Sequence, residues 1–487
     1  MLRGFVLLQL LQSVFSFAPP RGPWRVAAHP VGRKASPAPH TDEQENDDAI
    51  ECDVAVFGGG FGGLYTALAL QRNSASPLRI VLVEPTERFV FLPLLYDLTV
   101  GTATETEVCP LYRDLLRGTG IQHVRATLDA IHASDKVADV LPVATTTATD
   151  RTQVRFTAGV MAVGASPESI IQSVPGATDC AQPFYTGEDA KATKALLDRL
   201  EGNQASRIAV VGGGFGGVEL AASIQRRLYD ANVSLLSRGK PMAGTRAEPL
   251  VDQALRKLGV AVEEVSVDSL EREDDGKIMI HRAAYGTNST VEDDLPWDAV
   301  LWTAGSLPAL PESCEGLQRT TSGRLAVEDC LMVQADGASD TRSCIFALGD
   351  CAEVPGAGYP KTASVAVQQA PIVAGNVQKY LAGRSDYDTF RFTEIGSLLT
   401  LGGPNGAAIA PKDSALAPLV SAGLDFVDGL LSTADRVWQK TPIGLKPDEI
   451  GLSIGSYGLG VEGASSPGTI AGSVTGGLLL RSFLRLL

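Results

Sequence analysis

One stretch of this chain occurs twice, and no other feature restricts the fold as much. Asp53-Val-Ala-Val-Phe-Gly58-Gly-Gly60-Phe61-Gly-Gly63-Leu64 returns 154 positions later as Arg207-Ile-Ala-Val-Val-Gly212-Gly-Gly214-Phe215-Gly-Gly217-Val218. Each copy reads as a short apolar strand, a glycine cluster, a helix-like stretch (64–72 and 218–227) and a second apolar run (79–83 and 233–236). A strand–turn–helix–strand unit used twice predicts an α/β protein with two Rossmann-like dinucleotide-binding halves. In a Gly-x-Gly-x-x-Gly turn the first glycine permits the tight bend and the second lets backbone approach a pyrophosphate. The third lets helix pack close on strand, and the helix N-terminus supplies free N–H groups. Gly58, Gly60 and Gly63 are therefore candidate contacts for one nucleotide, and Gly212, Gly214 and Gly217 for another.

The end of the second strand decides how a ribose is held. In the first copy it carries Glu84, whose carboxylate suits a ribose 2′-hydroxyl as in an FAD or NAD site. The same offset in the second copy lands on Arg238, within Ser237-Arg238-Gly239-Lys240. A planar guanidinium there suits a 2′-phosphate, so NADPH is expected over NADH. A third signature, Ile345-Phe-Ala-Leu-Gly349-Asp350, reads as a strand ending in Gly-Asp, with Asp350 placed to bond the ribitol of FAD. Apolar runs at 160–165 and 298–305 are taken as the crossings between halves. They divide the chain into an FAD-binding domain of 52–165 plus 298–385, an inserted NAD(P)H-binding domain of 166–297, and a C-terminal region of 386–487.

Charge and composition exclude other classes. The net charge is −15, and residues 1–41 hold five bases and no acid, so the body is more acidic still and repels nucleic acid. Residues 1–51 read as a presequence followed by an acidic linker. Arg3 precedes an apolar run too short to span a bilayer, and a basic, acid-free stretch follows Ser16-Phe17-Ala18-Pro19. That junction is similar to the two-part plastid presequence of algae with secondary plastids. A membrane-associated plastid location is expected, with a mitochondrion as the alternative. The seven cysteines form no C-x-x-C or C-x4-C pair, which speaks against a disulfide relay beside flavin. His123, His132 and His281 lack metal-ligand spacing, so no metal is expected.

Together these segments resemble the type II NAD(P)H:quinone dehydrogenases, above all the plastid and cyanobacterial branch with demethylphylloquinone reductase activity. The resemblance covers about residues 52–410 and is carried by 58–65, 87–96, 183–186, 212–221, 300–305 and 346–350, with support from 390–392 and 399–402. It implies FAD contacts by Gly58, Gly60, Phe61, Gly63, Glu84, Gly349, Asp350 and Ala363. It also implies catalytic places for Glu219, near where nicotinamide meets flavin, and for Gln368 and Gln369 in the flavin and quinone segment. The first Gln of that family segment is Ser364 here. The implied activity takes electrons from NADPH, or from NADH, through FAD to a membrane quinone, a plastid naphthoquinone or plastoquinone. The implied partners are that quinone and the membrane surface, with a homodimer as the oligomer. The tail, where Arg481 and Arg485 share one face of an apolar helix, would dock on the membrane. The rival readings are a ferredoxin- or sulfide-linked flavoprotein and a flavin-binding stress or regulatory protein with slow turnover.

Overall fold

The computed structural model describes residues 49–409 apart from 75, 144–150, 204, 246, 288, 292–294, 337–342, 395–396 and 402–405. The expected presequence and the expected tail helix lie outside the described residues. In the first half, β1 (Ile50–Phe57), α1 (Phe61–Asn73), β2 (Ile80–Val83), β3 (Gln122–Val124), β4 (Ala126–His132), β5 (Val137–Pro142) and β6 (Thr152–Met161) follow in order. Then come β7 (Gln182–Pro183), α2 (Gly187–Leu200), β8 (Arg207–Val211), α3 (Phe215–Arg227), β9 (Asn232–Ser237), β10 (Ala261–Arg272), β11 (Ile278–Ala284), β12 (Thr290–Val291) and β13 (Ala299–Trp302). The chain closes its described part through β14 (Ser313–Glu315), β15 (Ile345–Ala347) and α4 (Ala363–Leu381), with a small hairpin of Ser397–Thr400 and Gly406–Ile409.

These strands make two large sheets. The first has eight strands in the order β14-β4-β5-β6-β1-β2-β3, with β15 also on β6. β5 pairs with β6 as far as Arg155, and β15 takes up the same strand from Gly159. The second has seven, in the order β12-β11-β10-β9-β8-β13-β7. At the heart of each lies a parallel strand covered on both faces, which is why β1 and β8 read as unbroken apolar runs. Val54, Ala55, Val56 and Phe57 are fully buried, as are Ile208, Ala209 and Val210. In the first half α4 packs along α1. In the second, Val218, Leu220 and Ala221 of α3 fill one side of the sheet, while Trp297, Val300 and Trp302 fill the other. The expected two-half α/β architecture is present.

The two passages between the sheets run side by side. Ala165–Ser166 pairs antiparallel with Leu307–Pro308 in a two-stranded ribbon. Each passage starts within a few residues of a glycine turn. The first leaves from Ala162 and Val163, which pack against Gly58, and the second from Thr303 and Ala304, which pack against Gly212. Summing the contour along these passages bounds the separation of Gly58 and Gly212 at roughly 35 Å. Both turns therefore flank one crossover. Among the described residues no helix is long and apolar enough to cross a membrane.

Candidate active site

The first glycine turn is a backbone knot with an open mouth. Gly58 has a φ of +96°, and a Cβ there would stand 2.4 Å from the Ala162 carbonyl oxygen. A Cβ on Gly63 would stand 1.8 Å from the Gly58 oxygen, so the helix lies against the strand end with no room for a methyl group. Gly60 differs, because a Cβ there would meet no protein atom within 4 Å. Nothing in the fold demands glycine at that position, whereas close approach of a ligand does. α1 begins after Gly60 with no side-chain cap and no acid in its first turn. By contrast α2, a structural helix, carries a reciprocal cap between Thr186 and Asp189. An uncapped N-terminus facing open space fits a bound pyrophosphate.

Three side chains brace this turn. Glu84, the residue after β2, accepts a hydrogen bond from the Gly59 N–H at 2.8 Å and two more from Thr86. The Tyr112 hydroxyl donates to the Gly59 carbonyl at 2.7 Å. His123 on β3 meets the Glu84 carbonyl through Nε2 at 3.0 Å, and its ring lies 4.7 Å from that of Tyr112. Burial, with the Glu84 charge nearby, pushes the Tyr112 phenol well above its usual range, and burial pulls His123 below its usual value. The sequence points to Glu84, but not to Tyr112 or His123, as part of the site. Phe61 opens α1 and packs edge-on against Phe89 and Phe91 at 5.2 and 5.4 Å.

The second turn repeats the knot. A Cβ on Gly217 would stand 1.8 Å from the Gly212 oxygen, Gly212 has a φ of +125°, and a Cβ on Gly214 would again meet nothing within 4 Å. α3 likewise starts with no side-chain cap and no acid in its first turn. The strand after it, however, is set one residue earlier. Phe57 pairs with Val83 in the first half, but Val211 pairs with Leu236 in the second. The Gly58 N–H bonds the Val83 carbonyl, and the Gly212 N–H bonds that of Leu236. The counterpart of Glu84 is thus Ser237, and Arg238 is the next residue. This corrects the constant offset drawn from the sequence, because the link from helix to strand is one residue shorter here. Ser237 is buried against Gly213, while Arg238 and Lys240 are exposed just beyond the strand. The Gly213 carbonyl is bonded by the Met242 N–H at 2.8 Å.

The third signature sits between α4 and β15. Gly349 has a φ of +71°, and its N–H bonds Oε1 of Gln369, whose side chain is buried. The Asp350 carboxyl is raised by burial and pulled back by Arg324, which donates from Nε to the Asp350 carbonyl. Arg324 is itself held by Glu353, and Thr320 and Ser322 also bond that carboxylate. A cleft of about 160 Å³ is lined by Gly349, Asp350, Val365 and Gln369 together with Arg324 and Lys361. Ala363 is the first residue of α4, capped by Thr362. The Gln368 amide bonds both backbone groups of Thr393 and the Ser364 hydroxyl. Both glutamines therefore hold backbone in place. Glu219 is half-buried on α3, beyond its first turn. All seven cysteines are free thiols, and burial pushes that of Cys351, next to Asp350, up to about 11.

Two uncapped helix N-termini, each following a parallel strand of a mixed sheet, together with a Gly-Asp strand end, define a flavoprotein oxidoreductase with separate flavin and nicotinamide halves. Comparison with known proteins agrees. Residues 52–370 match the pyridine nucleotide-disulphide oxidoreductase family. The chain is 34% identical over 400 residues to the alternative NAD(P)H-ubiquinone oxidoreductase C1, chloroplastic/mitochondrial, of Arabidopsis thaliana, covering 74% of this chain and 73% of the relative. It is 32% identical to the demethylphylloquinone reductase NdbB of a Synechocystis strain, covering 73% of this chain and 86% of the relative. Among solved structures it is similar in fold to NDH2 from Plasmodium falciparum in complex with NADH, with a TM-score of 0.61, 15% identity and coverage of 81% and 100%. The chain belongs to the pyridine nucleotide-disulphide oxidoreductase family, and within it to the type II NAD(P)H:quinone oxidoreductases.

Proposed function

We propose that this chain oxidises NAD(P)H, with NADPH preferred, and reduces a membrane quinone of the plastid, a naphthoquinone or plastoquinone. Bound FAD would supply the two-electron exchange between the reduced nicotinamide and the quinone. Gly58, Gly60 and Gly63, with the N–H groups of α1, would hold its pyrophosphate, Glu84 its ribose and Asp350 its ribitol. Gly212, Gly214 and Gly217 would hold the nicotinamide nucleotide, with Arg238 on its 2′-phosphate. Glu219 would lie where nicotinamide approaches. Gln369 would position the Gly349–Asp350 turn, and Gln368 would fix the chain around Thr393 beside it. Peripheral membrane association and a homodimer belong to the same reading.

One observation carries it. Gly60 and Gly214 both stand where a Cβ would meet no protein atom within 4 Å, each ahead of an uncapped helix. The test is reoxidation of the NADPH-reduced protein by a panel of naphthoquinone and plastoquinone analogues. Reoxidation by quinone far faster than by dioxygen is expected. Turnover with ferredoxin or sulfide but with none of the quinones would overturn the assignment.

A further inference from the structure

Tyr285 is exposed over about half of its surface, in the turn between β11 and β12, and none of the roles above uses it. Ser237 at the end of β9 pairs with Glu264 on β10. The Tyr285 N–H bonds the Glu264 carbonyl, one step beyond the Val265–Ala284 pair of the β10–β11 ladder. Ser237, Glu264 and Tyr285 are thus level across neighbouring strands, at the carboxyl edge of β9 where the second glycine turn lies. Residues directly opposed in a sheet point to the same face. For Ser237 that face is the one packed on Gly213. The Tyr285 ring reaches back over the loop after β9, with Cε1 at 3.6 Å from where a Cβ on Gly239 would stand. Gly239, flanked by Arg238 and Lys240, has a φ of +84°. The ring is thus half in water, over a loop whose glycine has an exposed basic residue on either side in sequence.

We propose that Tyr285 is the wall on which the adenine ring of the nicotinamide nucleotide stacks, completing an adenine and ribose-phosphate subsite with Arg238 and Lys240. The proposal rests on reading the second glycine turn as the nicotinamide-nucleotide site. In open α/β sheets the nucleotide lies along the carboxyl ends of the strands, so its adenosine end passes beyond the second strand of the turn. Here that strand is β9, and the flat apolar surface beyond it is Tyr285. Stacking asks only for a π-face, which both Tyr and Phe supply. Two acids flank the subsite. Glu264 is exposed beside Ser237, and Glu248 lies 3.7 Å from the Lys240 ammonium.

The test uses the full-length holoprotein with NADPH and, separately, with reduced nicotinamide mononucleotide, which lacks the adenosine. For Tyr285→Ala the KM for NADPH should rise about tenfold, with kcat and flavin content within about twofold of wild type. Tyr285→Phe should stay within about twofold of wild type throughout. KM for the mononucleotide should be the same in all three proteins. An unchanged NADPH KM in Tyr285→Ala would overturn the proposal. An equal rise with the mononucleotide would overturn it as well, by showing that the ring only shapes the loop, and so would a Phe variant as poor as Ala. If wild-type protein fails to reduce its flavin with any nicotinamide nucleotide, the underlying reading of the second turn falls instead.

Discussion

The two glycine turns share one backbone but not one setting. Around the first, side chains from distant parts of the chain close in. Glu84 takes the Gly59 N–H, Tyr112 gives its hydroxyl to the Gly59 carbonyl, and His123 braces the Glu84 backbone. Around the second, the Gly213 carbonyl is met by the N–H of Met242 in a nearby loop, a buried Ser237 replaces the carboxylate, and the charged residues stand in solvent. Side chains bonded to both the N–H and the carbonyl of Gly59 hold that turn in one geometry. An open loop with exposed cations and an exposed ring admits a ligand and lets it leave. The difference supports the proposal of a resident flavin in the first cradle and an exchanging nicotinamide nucleotide in the second.

The contrast between the two cradles is tested most severely at their glycines. Gly63→Ala should yield no soluble flavoprotein, because its methyl group would overlap the Gly58 carbonyl. Gly60→Ala should fold with an unchanged circular dichroism spectrum yet lose flavin, since its methyl group meets only space. Loss of fold in Gly60→Ala would contradict the account of an open cradle. Gly214→Ala should keep flavin and raise the NADPH KM by tenfold or more, an effect read by steady-state kinetics.

Next in size is Tyr112→Phe. It strands a buried carbonyl, which costs about 1–3 kcal/mol. FAD binding should weaken by that measure, to a roughly tenfold higher Kd, with an unchanged KM for NADPH. Arg238→Ala should raise the NADPH KM about tenfold and leave that for NADH within about twofold, the size of one charge-assisted hydrogen bond. The smallest effect is the pH dependence of flavin retention. His123 has a folded-state pKa below its ordinary 6.5, so the stability it contributes is present above that value. It is lost as pH falls through the depressed pKa. Flavin release on acidification should therefore be shallower in His123→Gln, as followed by fluorescence of freed flavin.

What was legible in the sequence was local. The glycine turns, their flanking strands and helices, and the Gly-Asp strand end are short-range patterns, each fixed by sterics within a dozen residues. The braces were not legible, because Tyr112 lies 53 positions from Gly59, and His123 39 positions from Glu84. Only the packing of β3 beside β2 brings His123 there. Ser237 was missed for a different reason. A repeat offset measured at the glycines was carried past a connection that is one residue shorter, and a slip of one residue moves a side chain to the other face of a strand. Gln369 and Gln368 were legible as positions, but their amides are engaged with Gly349 and Thr393, which only the folded chain reveals.

A flavin in the braced cradle should be reduced by a nicotinamide nucleotide in the open one. Anaerobic stopped-flow mixing of the purified yellow protein with NADPH and with NADH tests it directly. Bleaching of the flavin absorbance within a single turnover, faster with NADPH, is the predicted result. Flavin that stays oxidised with both nucleotides would contradict it.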